Sequence, residues 1–127
     1  SQVQFKDLNG VVQLISGYGV HVDTGSLGNK RYIIYADHAP GDQQYDTLDY
    51  LVDTIDFSST EPGIVIKSIN NVANSRVSFN FNSSDFKTTI TQFDSGQNNV
   101  NIVFALESDL TRTRSVSINT SGLVEVN

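Results

Sequence analysis

The chain has 127 residues, of which 38% are hydrophobic, and its 8 Lys and Arg residues against 14 Asp and Glu give a net charge of −6. This length is enough for one domain with a hydrophobic core, spanning residues 1–127, and too short for two ordinary domains. The acidic balance excludes a surface that attracts polyanions over its whole extent, and the absence of cysteine from the sequence excludes disulfides and thiolate chemistry.

An N-terminal hairpin is predicted where two apolar segments, 3–8 and 11–15, flank the dipeptide Asn9-Gly10. Asn-Gly is the strongest two-residue signal for a type I′ turn between antiparallel strands. A two-residue turn at this position places Phe5 opposite Leu14.

The next two strands are predicted from the segments GYGVHVD at 17–23 and RYIIYAD at 31–37, which alternate and flank a polar turn at 26–29. Side chains alternate between the two faces of a strand. Val20 is therefore expected on a buried face, and His21 on the opposite, solvated face.

The segment from Asp37 to Asp49 has no sustained periodicity and contains Pro40-Gly41, so it is interpreted as an exposed loop. Asp37, Asp42, Asp46 and Asp49 place four carboxylates within this loop. Ca²⁺ prefers six to eight oxygen ligands, and repeated aspartates in a flexible turn can provide several of them. We interpret the loop as a solvated turn with no metal or other cofactor, and keep a calcium site as the alternative.

Further strands are predicted along the rest of the chain, at 50–57, 64–69, 76–82, 85–93, 100–106, 116–118 and 124–126. Alternation is clearest in the third of these, where Val77, Phe79 and Phe81 are expected inward. Ser78 and Asn80 are expected outward on the same strand.

A terminal hairpin is predicted because Val116 and Ile118 can pair with Val124 and Val126 across a Ser-Gly turn. About nine short strands at regular spacing, with no convincing helix, predict an all-β fold of two packed antiparallel sheets. The side chains expected in the core between the sheets are Val20, Val22, Ile33, Tyr35, Ile64, Ile66, Val77, Phe79, Phe81, Ile102 and Phe104.

Catalytic signals are weak in this sequence. Nucleophilic catalysis needs a base beside the nucleophile, and the only histidines, His21 and His38, lie in no recognisable motif. Two isolated histidines and scattered carboxylates also do not make a zinc site. We therefore expect no enzymatic activity and no catalytic residues.

Four segments carry a family resemblance: GYGVHVD, YIIYAD, the Asp-rich turn after them, and the terminal SVSINTSGLVEV. Together they resemble the globular domain of minor type IV pilins and pseudopilins, specifically the H-type pseudopilin or FimT-like group. The resemblance implies a β-rich head whose N-terminal apolar helix anchors it in the membrane and packs in the filament core. No run of about 18 apolar residues occurs in this chain, so that helix is expected to be missing from it.

The resemblance also bears on two possible ligands of the chain, calcium and DNA. Related heads often carry an Asp-x-Asn-x-Asn/Asp-Gly-like run, whereas here Ala39 and Pro40 stand where oxygen ligands would be. Some FimT-like pilins bind DNA through a C-terminal Gly-Arg-x-Arg hairpin, but residues 122–125 here are Gly-Leu-Val-Glu. Arg112 and Arg114 are the weak remaining candidates. Two cations release only about two counterions, so no nucleic-acid binding is expected.

The function predicted from these observations is a non-enzymatic structural or assembly subunit, the head of a minor pilin or pseudopilin in a type IV pilus or a type II secretion pseudopilus. The resemblance implies other pilin or pseudopilin subunits as partners. It also implies export, anchoring in the inner membrane before assembly, and then a place in a cell-surface or periplasmic filament. The alternative is a free-standing extracellular binding module for adhesion, for example one that docks a glycan on Tyr18, Tyr45 and Tyr50.

Overall fold

The structure, a computed structural model, describes residues 3–92 and 96–127. Within these ranges the chain is all-β, as predicted, with ten strands rather than about nine and one single-turn helix. The elements are β1 Val3–Lys6, β2 Val12–Asp23, β3 Arg31–His38, β4 Tyr50–Asp56, α1 Phe57–Thr60, β5 Ile64–Asn70, β6 Arg76–Asn82, β7 Thr88–Thr91, β8 Asn99–Leu106, β9 Asp109–Asn119 and β10 Val124–Val126. No helix in the described ranges is long and apolar enough to cross a membrane.

The strands form two antiparallel sheets. The first sheet has the order β4-β3-β2-β6-β7, with β1 paired to β2 at its edge, and the second has the order β10-β9-β8-β5. The predicted segments 11–15 and 17–23 merge into the single strand β2, because a bulge between Ile15 and Gly17 lets pairing with β3 continue. Residue 93 of the predicted segment 85–93 lies outside the described residues, and the strand within the rest of the segment is β7.

The core lies between the two sheets. A cluster of buried side chains fills it, namely Val22, Phe57, Ile66, Val77, Ile90, Val100 and Ile102. Four predicted core residues, Val20, Ile64, Phe79 and Phe104, are half-buried and pack against this cluster. Burial of each large apolar side chain contributes about 1.5–3 kcal/mol, which is the main force that holds the sheets together.

The prediction that Phe81 belongs to the core is wrong, since its side chain is 50% exposed. Ile33 and Tyr35 are buried as predicted, but not between the sheets: they pair with His21 and Gly19 and lie on the opposite face of the first sheet. The partner of Phe81 on β2, Tyr18, is 39% exposed, although both residues follow the alternation that buries Val77 and Val22. Within the described ranges, the second sheet does not cover this end of the first sheet. We call the exposed group Tyr18, Phe81 and Phe86 the open end of the sandwich.

The N-terminal hairpin forms with a different register from the one predicted. Phe5 pairs with Gln13, not with Leu14, because the turn has three residues rather than two. The Asp7 carboxylate accepts hydrogen bonds from the backbone N–H groups of Asn9 and Val11, both at 2.9 Å, and so stabilises the longer turn. A shift of one residue moves every side chain of a strand to the other face.

The outer face of the first sheet is buried, which overturns the prediction that it is solvated. His21 is 4% exposed, and Ser78 and Asn80 are 0% exposed. The segment between β3 and β4, residues 39–49, folds across this face; we call it the acidic loop. It was expected to be fully exposed because it lacks periodicity, yet it covers the polar side of three strands.

The terminal hairpin confirms the predicted register. Val124 pairs with Ile118, and Val126 pairs with Val116. The Asn119 carboxamide oxygen accepts hydrogen bonds from the backbone N–H groups of Ser121 and Leu123, each at 3.0 Å, which closes the turn locally. A turn of this kind can be predicted from nearby residues because all its hydrogen bonds are local.

Candidate functional site

Hydrogen bonds attach the acidic loop to the outer face of the first sheet. The Ala39 N–H donates to the Leu14 carbonyl at 3.2 Å, and the Tyr45 N–H donates to the Ser78 hydroxyl at 3.1 Å. The Thr91 hydroxyl donates to a loop carbonyl, that of residue 43, at 3.2 Å. These contacts reach β2, β6 and β7, so the loop is held against the sheet along its length.

Beneath the loop lies a chain of hydrogen bonds between side chains that are buried or, at Thr89, half-buried. The Tyr35 hydroxyl donates to the Asn80 Oδ1 at 2.9 Å, and the Asn80 amide donates to the Asn82 Oδ1 at 2.7 Å. The Asn82 amide donates to the Thr89 hydroxyl at 2.8 Å. Burial also raises the pKa of Tyr35, so its hydroxyl remains a donor. We call these buried groups, together with His21 and Ser78, the polar layer.

His21 occupies the other end of the polar layer. Its Nδ1 lies 2.7 Å from the Ser78 hydroxyl, and its ring packs 4.9 Å from the Tyr45 ring, centroid to centroid. Burial lowers the pKa of His21, although the Asp23 carboxylate, 3.8 Å from Nε2, acts in the opposite direction. His21 is thus a buried side chain with a cross-strand partner that supports the loop, and the prediction that its face of the strand is solvated is wrong.

Two glycines of the GYG segment let the polar layer form. A Cβ atom on Gly19 would overlap the Tyr35 ring, and one on Gly17 would overlap the Phe81 carbonyl. The Tyr35 ring therefore packs directly against β2 at Gly19, the residue with which Tyr35 pairs. This close approach explains why the strand has glycine where a regular strand would have a larger residue.

Three carboxylates meet where the acidic loop joins the strands. Asp37, Asp42 and Asp49 each place one oxygen within 4.8 Å of the others. Asp37 lies near the end of β3 and Asp49 directly precedes β4, and the antiparallel pairing of Ala36 with Tyr50 brings them side by side. We call these three residues the acidic cluster.

Asp49 is held firmly by the backbone. Its Oδ1 accepts a hydrogen bond from the His38 N–H at 2.8 Å, and its Oδ2 accepts one from the Asp46 N–H, also at 2.8 Å. Asp46 itself is not part of the acidic cluster, and its carboxylate accepts a hydrogen bond from the Leu48 N–H at 2.9 Å. Three of the four predicted aspartates therefore come together, and the fourth positions one of them.

Asp37 is 0% exposed, yet only one of its carboxylate oxygens has a partner. Oδ2 accepts a hydrogen bond from the Gln43 N–H at 3.1 Å. Oδ1 is buried and has no hydrogen-bond partner among residues 3–92 and 96–127. Such orphaned acceptors are rare in native proteins and call for a physical explanation.

The acidic cluster is electrostatically unfavourable without a counter-charge. Burial, and then the charges of Asp49 and Asp42, raise the pKa of Asp37 to about 7. Burial is also the main cause of the raised pKa values of Asp42 and Asp49. None of the ion pairs within the described ranges brings Lys or Arg to the cluster. Chemically, three such carboxylates can share a proton or hold a hard cation.

The nucleic-acid candidates, Arg112 and Arg114, are exposed on β9, far along the chain from the acidic cluster. They line a groove of about 500 Å³ beside Phe104 and Leu106. Neither arginine takes part in an ion pair within the part of the chain that the structure describes. Two unpaired cations do not make an extended basic surface, and the expectation of no nucleic-acid binding stays a prediction.

The three tyrosines proposed as a glycan platform are not together. Tyr18 and Tyr50 both contact the Phe5 ring, with centroid distances of 6.1 and 6.0 Å. Tyr45 instead packs 5.4 Å from the Tyr35 ring, on the opposite face of the sheet, and is half-buried. Only two of the three can contribute to one surface.

The polar layer was missed by sequence reasoning, although a signal was present. Its side chains on β2, β3 and β6 are histidine, tyrosine, serine and asparagine, with no lysine or glutamate among them. Long charged side chains are usual at solvated positions, whereas short hydrogen-bonding ones suit a covered face. No family model, curated protein or solved structure matches the chain, so its function has to be inferred from its own residues and geometry.

Proposed function

We propose that this chain is a non-enzymatic structural or assembly subunit, the head domain of a minor pilin or pseudopilin. The observation that carries the proposal is that three of the four segments of the resemblance pack together in the first sheet, while the fourth forms the terminal hairpin of the second sheet. Gly19 of GYGVHVD pairs with Tyr35 of YIIYAD, and Gly17 pairs with Asp37 at the start of the Asp-rich turn. These three segments thus form one packing unit rather than scattered hairpins.

An assembly subunit acts through exposed surfaces on a rigid scaffold, and the open end of the sandwich is a suitable one. Tyr18, Phe81 and Phe86 are 39%, 50% and 76% exposed there. Contiguous exposed apolar side chains are typical of sites that contact another protein. In the proposed function the partners are other pilin or pseudopilin subunits.

The proposal includes an anchor and a location. A membrane helix encoded upstream of residue 1 would hold the head at the inner membrane after export, before the subunit enters a surface or periplasmic filament. The first test is the gene sequence upstream of this chain. We expect a short leader followed by an apolar helix, and a cleavable signal peptide or a further folded domain would contradict the proposal.

A functional test uses the full gene product, tagged and expressed in its own cells, and measures its amount in the sheared filament fraction. Phe86→Asp places a charge on the open end and is expected to reduce incorporation at least about tenfold, because an unpaired charge is costly in an interface. Leu123→Asp is the matched control, since Leu123 is 56% exposed in the terminal hairpin. Equal incorporation of both variants and wild type would count against subunit contacts at the open end.

The alternative function, a free-standing binding module, is supported by the aromatic group of Phe5, Tyr18 and Tyr50. Glycan rings dock on exposed aromatic side chains, and Tyr18 is the most accessible of the three tyrosines considered. A glycan array probed with the isolated chain tests this. Binding that is lost in Tyr18→Ala, together with no filament incorporation of wild type, would favour the module over the pilin.

A further inference from the structure

We propose that the acidic cluster of Asp37, Asp42 and Asp49 is a Ca²⁺ site that locks the acidic loop onto the first sheet. This inference is independent of the filament proposal, because it concerns how the loop is ordered and not what the head assembles with.

The first observation is the spacing of the carboxylates. A Ca²⁺–oxygen bond is about 2.3–2.6 Å long, so two oxygens on one ion lie no more than about 5 Å apart. The three oxygens of the acidic cluster lie within 4.8 Å of one another. Their spacing is therefore close to what one shared ion requires.

The second observation is independent of the first, and it is the buried Asp37 Oδ1 with no hydrogen-bond partner in the described ranges. The carboxylate is oriented, because its Oδ2 is held by the Gln43 N–H at 3.1 Å. A bound cation satisfies the remaining oxygen and also removes the repulsion between three neighbouring carboxylates. A purely solvated turn explains neither the burial of Asp37 nor its orphaned oxygen.

The third observation is that a small cavity adjoins each of the three carboxylates. Asp42 and Asp49 line a cavity of about 160 Å³, and Asp37 lines an adjacent one of about 190 Å³. Pro40 and Gly41 separate the two, since both residues line each cavity. A Cβ on Gly41 would lie only 2.7 Å from the Ser16 Cβ, so the loop can approach this closely only with glycine.

Calcium suits the site better than magnesium. Mg²⁺ loses its water reluctantly and is usually held by one or two carboxylates, whereas Ca²⁺ accepts more ligands in a flexible geometry. The acidic cluster offers three carboxylates, which leaves the other Ca²⁺ ligands to loop carbonyls and water. The objection that Ala39 and Pro40 lack side-chain oxygens therefore does not apply, because the third carboxylate comes from β3.

The rival explanation is a proton shared between Asp37 and its neighbours. A shared proton predicts that Ca²⁺ leaves the melting temperature unchanged, whereas a calcium site predicts that the melting temperature rises with Ca²⁺ concentration. The experiment measures thermal unfolding of the EDTA-treated chain at pH 7.5 during titration with CaCl₂, with MgCl₂ as a parallel series. We expect Ca²⁺ to raise the melting temperature by several degrees and Mg²⁺ to raise it less at equal concentration.

Variants identify the ligands. Asp42→Asn is the principal one, because Asp42 is exposed and its substitution does not disturb the core. It should weaken Ca²⁺ affinity, measured by calorimetry, at least about tenfold, since affinity follows the number of charged ligands. Asp37→Asn should abolish the Ca²⁺ response while leaving a folded protein. Asp53→Asn, an exposed aspartate on β4, is the matched control and should bind Ca²⁺ like wild type.

Two results would overturn the proposal. One is an unchanged melting temperature of wild type in millimolar Ca²⁺, which would leave the shared proton as the explanation. The other is an equal Ca²⁺ response in wild type, Asp42→Asn and Asp37→Asn, which would mean nonspecific screening of an acidic protein. Neither result bears on filament incorporation, so the two proposals fail separately.

Discussion

Both faces of the first sheet have buried parts, but these are held by different physical interactions. On the inner face, Val22 and Val77 are 4% and 0% exposed and pack against the second sheet. On the outer face, His21 and Ser78 are 4% and 0% exposed, but they lie under the acidic loop and hydrogen-bond to each other. Apolar packing is non-directional, whereas every buried polar atom needs a specific partner. We therefore expect the outer face to be destabilised most by substitutions that remove a hydrogen-bond partner, and the inner face by substitutions that change side-chain volume.

The largest expected effect tests the inner face. Ile66→Ala should lower the free energy of unfolding by about 2–5 kcal/mol, because it removes three carbons from the core and leaves a cavity. Ile66 is 2% exposed in the cluster between the sheets. Denaturant unfolding measures the change, and Val126→Ala, at a position 69% exposed, is the control. Equal midpoints for the two variants would mean that the sheets do not share this core.

The next effect tests the outer face at nearly constant volume. Tyr35→Phe removes only the hydroxyl that donates to Asn80 at 2.9 Å. The buried acceptor is left without its donor, which should cost about 1–3 kcal/mol of unfolding free energy. Tyr32→Phe is the matched control, since Tyr32 packs by its ring beside Phe57. A cost for Tyr35→Phe no greater than that of the control would contradict a hydrogen-bonded outer face.

A third effect comes from the acidic cluster and depends on pH. The raised pKa of Asp37, about 7, means that without Ca²⁺ the folded protein holds a proton that the unfolded chain releases near pH 3.8. Stability should therefore fall as pH rises through this window and level off above pH 7, by about 1 kcal/mol or more in total. Saturating Ca²⁺ should offset the fall.

His21 acts in the opposite direction in part of this window. The pKa of His21 is lowered in the folded protein, so below about pH 6.5 the unfolded chain binds a proton at His21 more readily than the folded protein does. The contribution of His21 to the free energy of unfolding is therefore lost as pH falls. The pH dependence of wild type must therefore be compared with that of Asp37→Asn, which keeps His21. We expect the variant to lose the fall between pH 5 and 7. The same slope in both proteins would assign the effect to another group.

The smallest expected effect tests where the buried part of the inner face ends. Phe81→Thr should change the free energy of unfolding by about 1 kcal/mol or less, because the ring is already 50% exposed. Phe79→Thr, two residues earlier on the same strand, packs against the core and is the comparison. If Phe81→Thr proves as damaging as Phe79→Thr, the open end of the sandwich is covered in solution.

Much of the fold follows from local signals that the sequence carries. The strand Arg76–Asn82 and the pairing of Val124 with Ile118 agree with the sequence-based expectation. Period-two alternation and Ser-Gly turn chemistry depend only on neighbouring residues, so they can be read without the rest of the molecule. The predicted register of the N-terminal hairpin was wrong by one residue, because the Asp7 side chain accepts hydrogen bonds from the turn backbone and stabilises a longer turn.

What the sequence by itself determined was that this is an all-β protein with two-faced strands and an aspartate-rich connection after β3. Only the tertiary structure decided which faces are covered and which aspartates meet. Alternation of residue types predicts that a strand has two different faces, but it does not predict what covers each face. A loop without periodicity gives no indication of which face it will pack against. The acidic loop covers the outer face and brings Asp42 beside Asp37 and Asp49, whereas Phe81 stays 50% exposed. These are long-range contacts, and their energies depend on residues far apart in the chain.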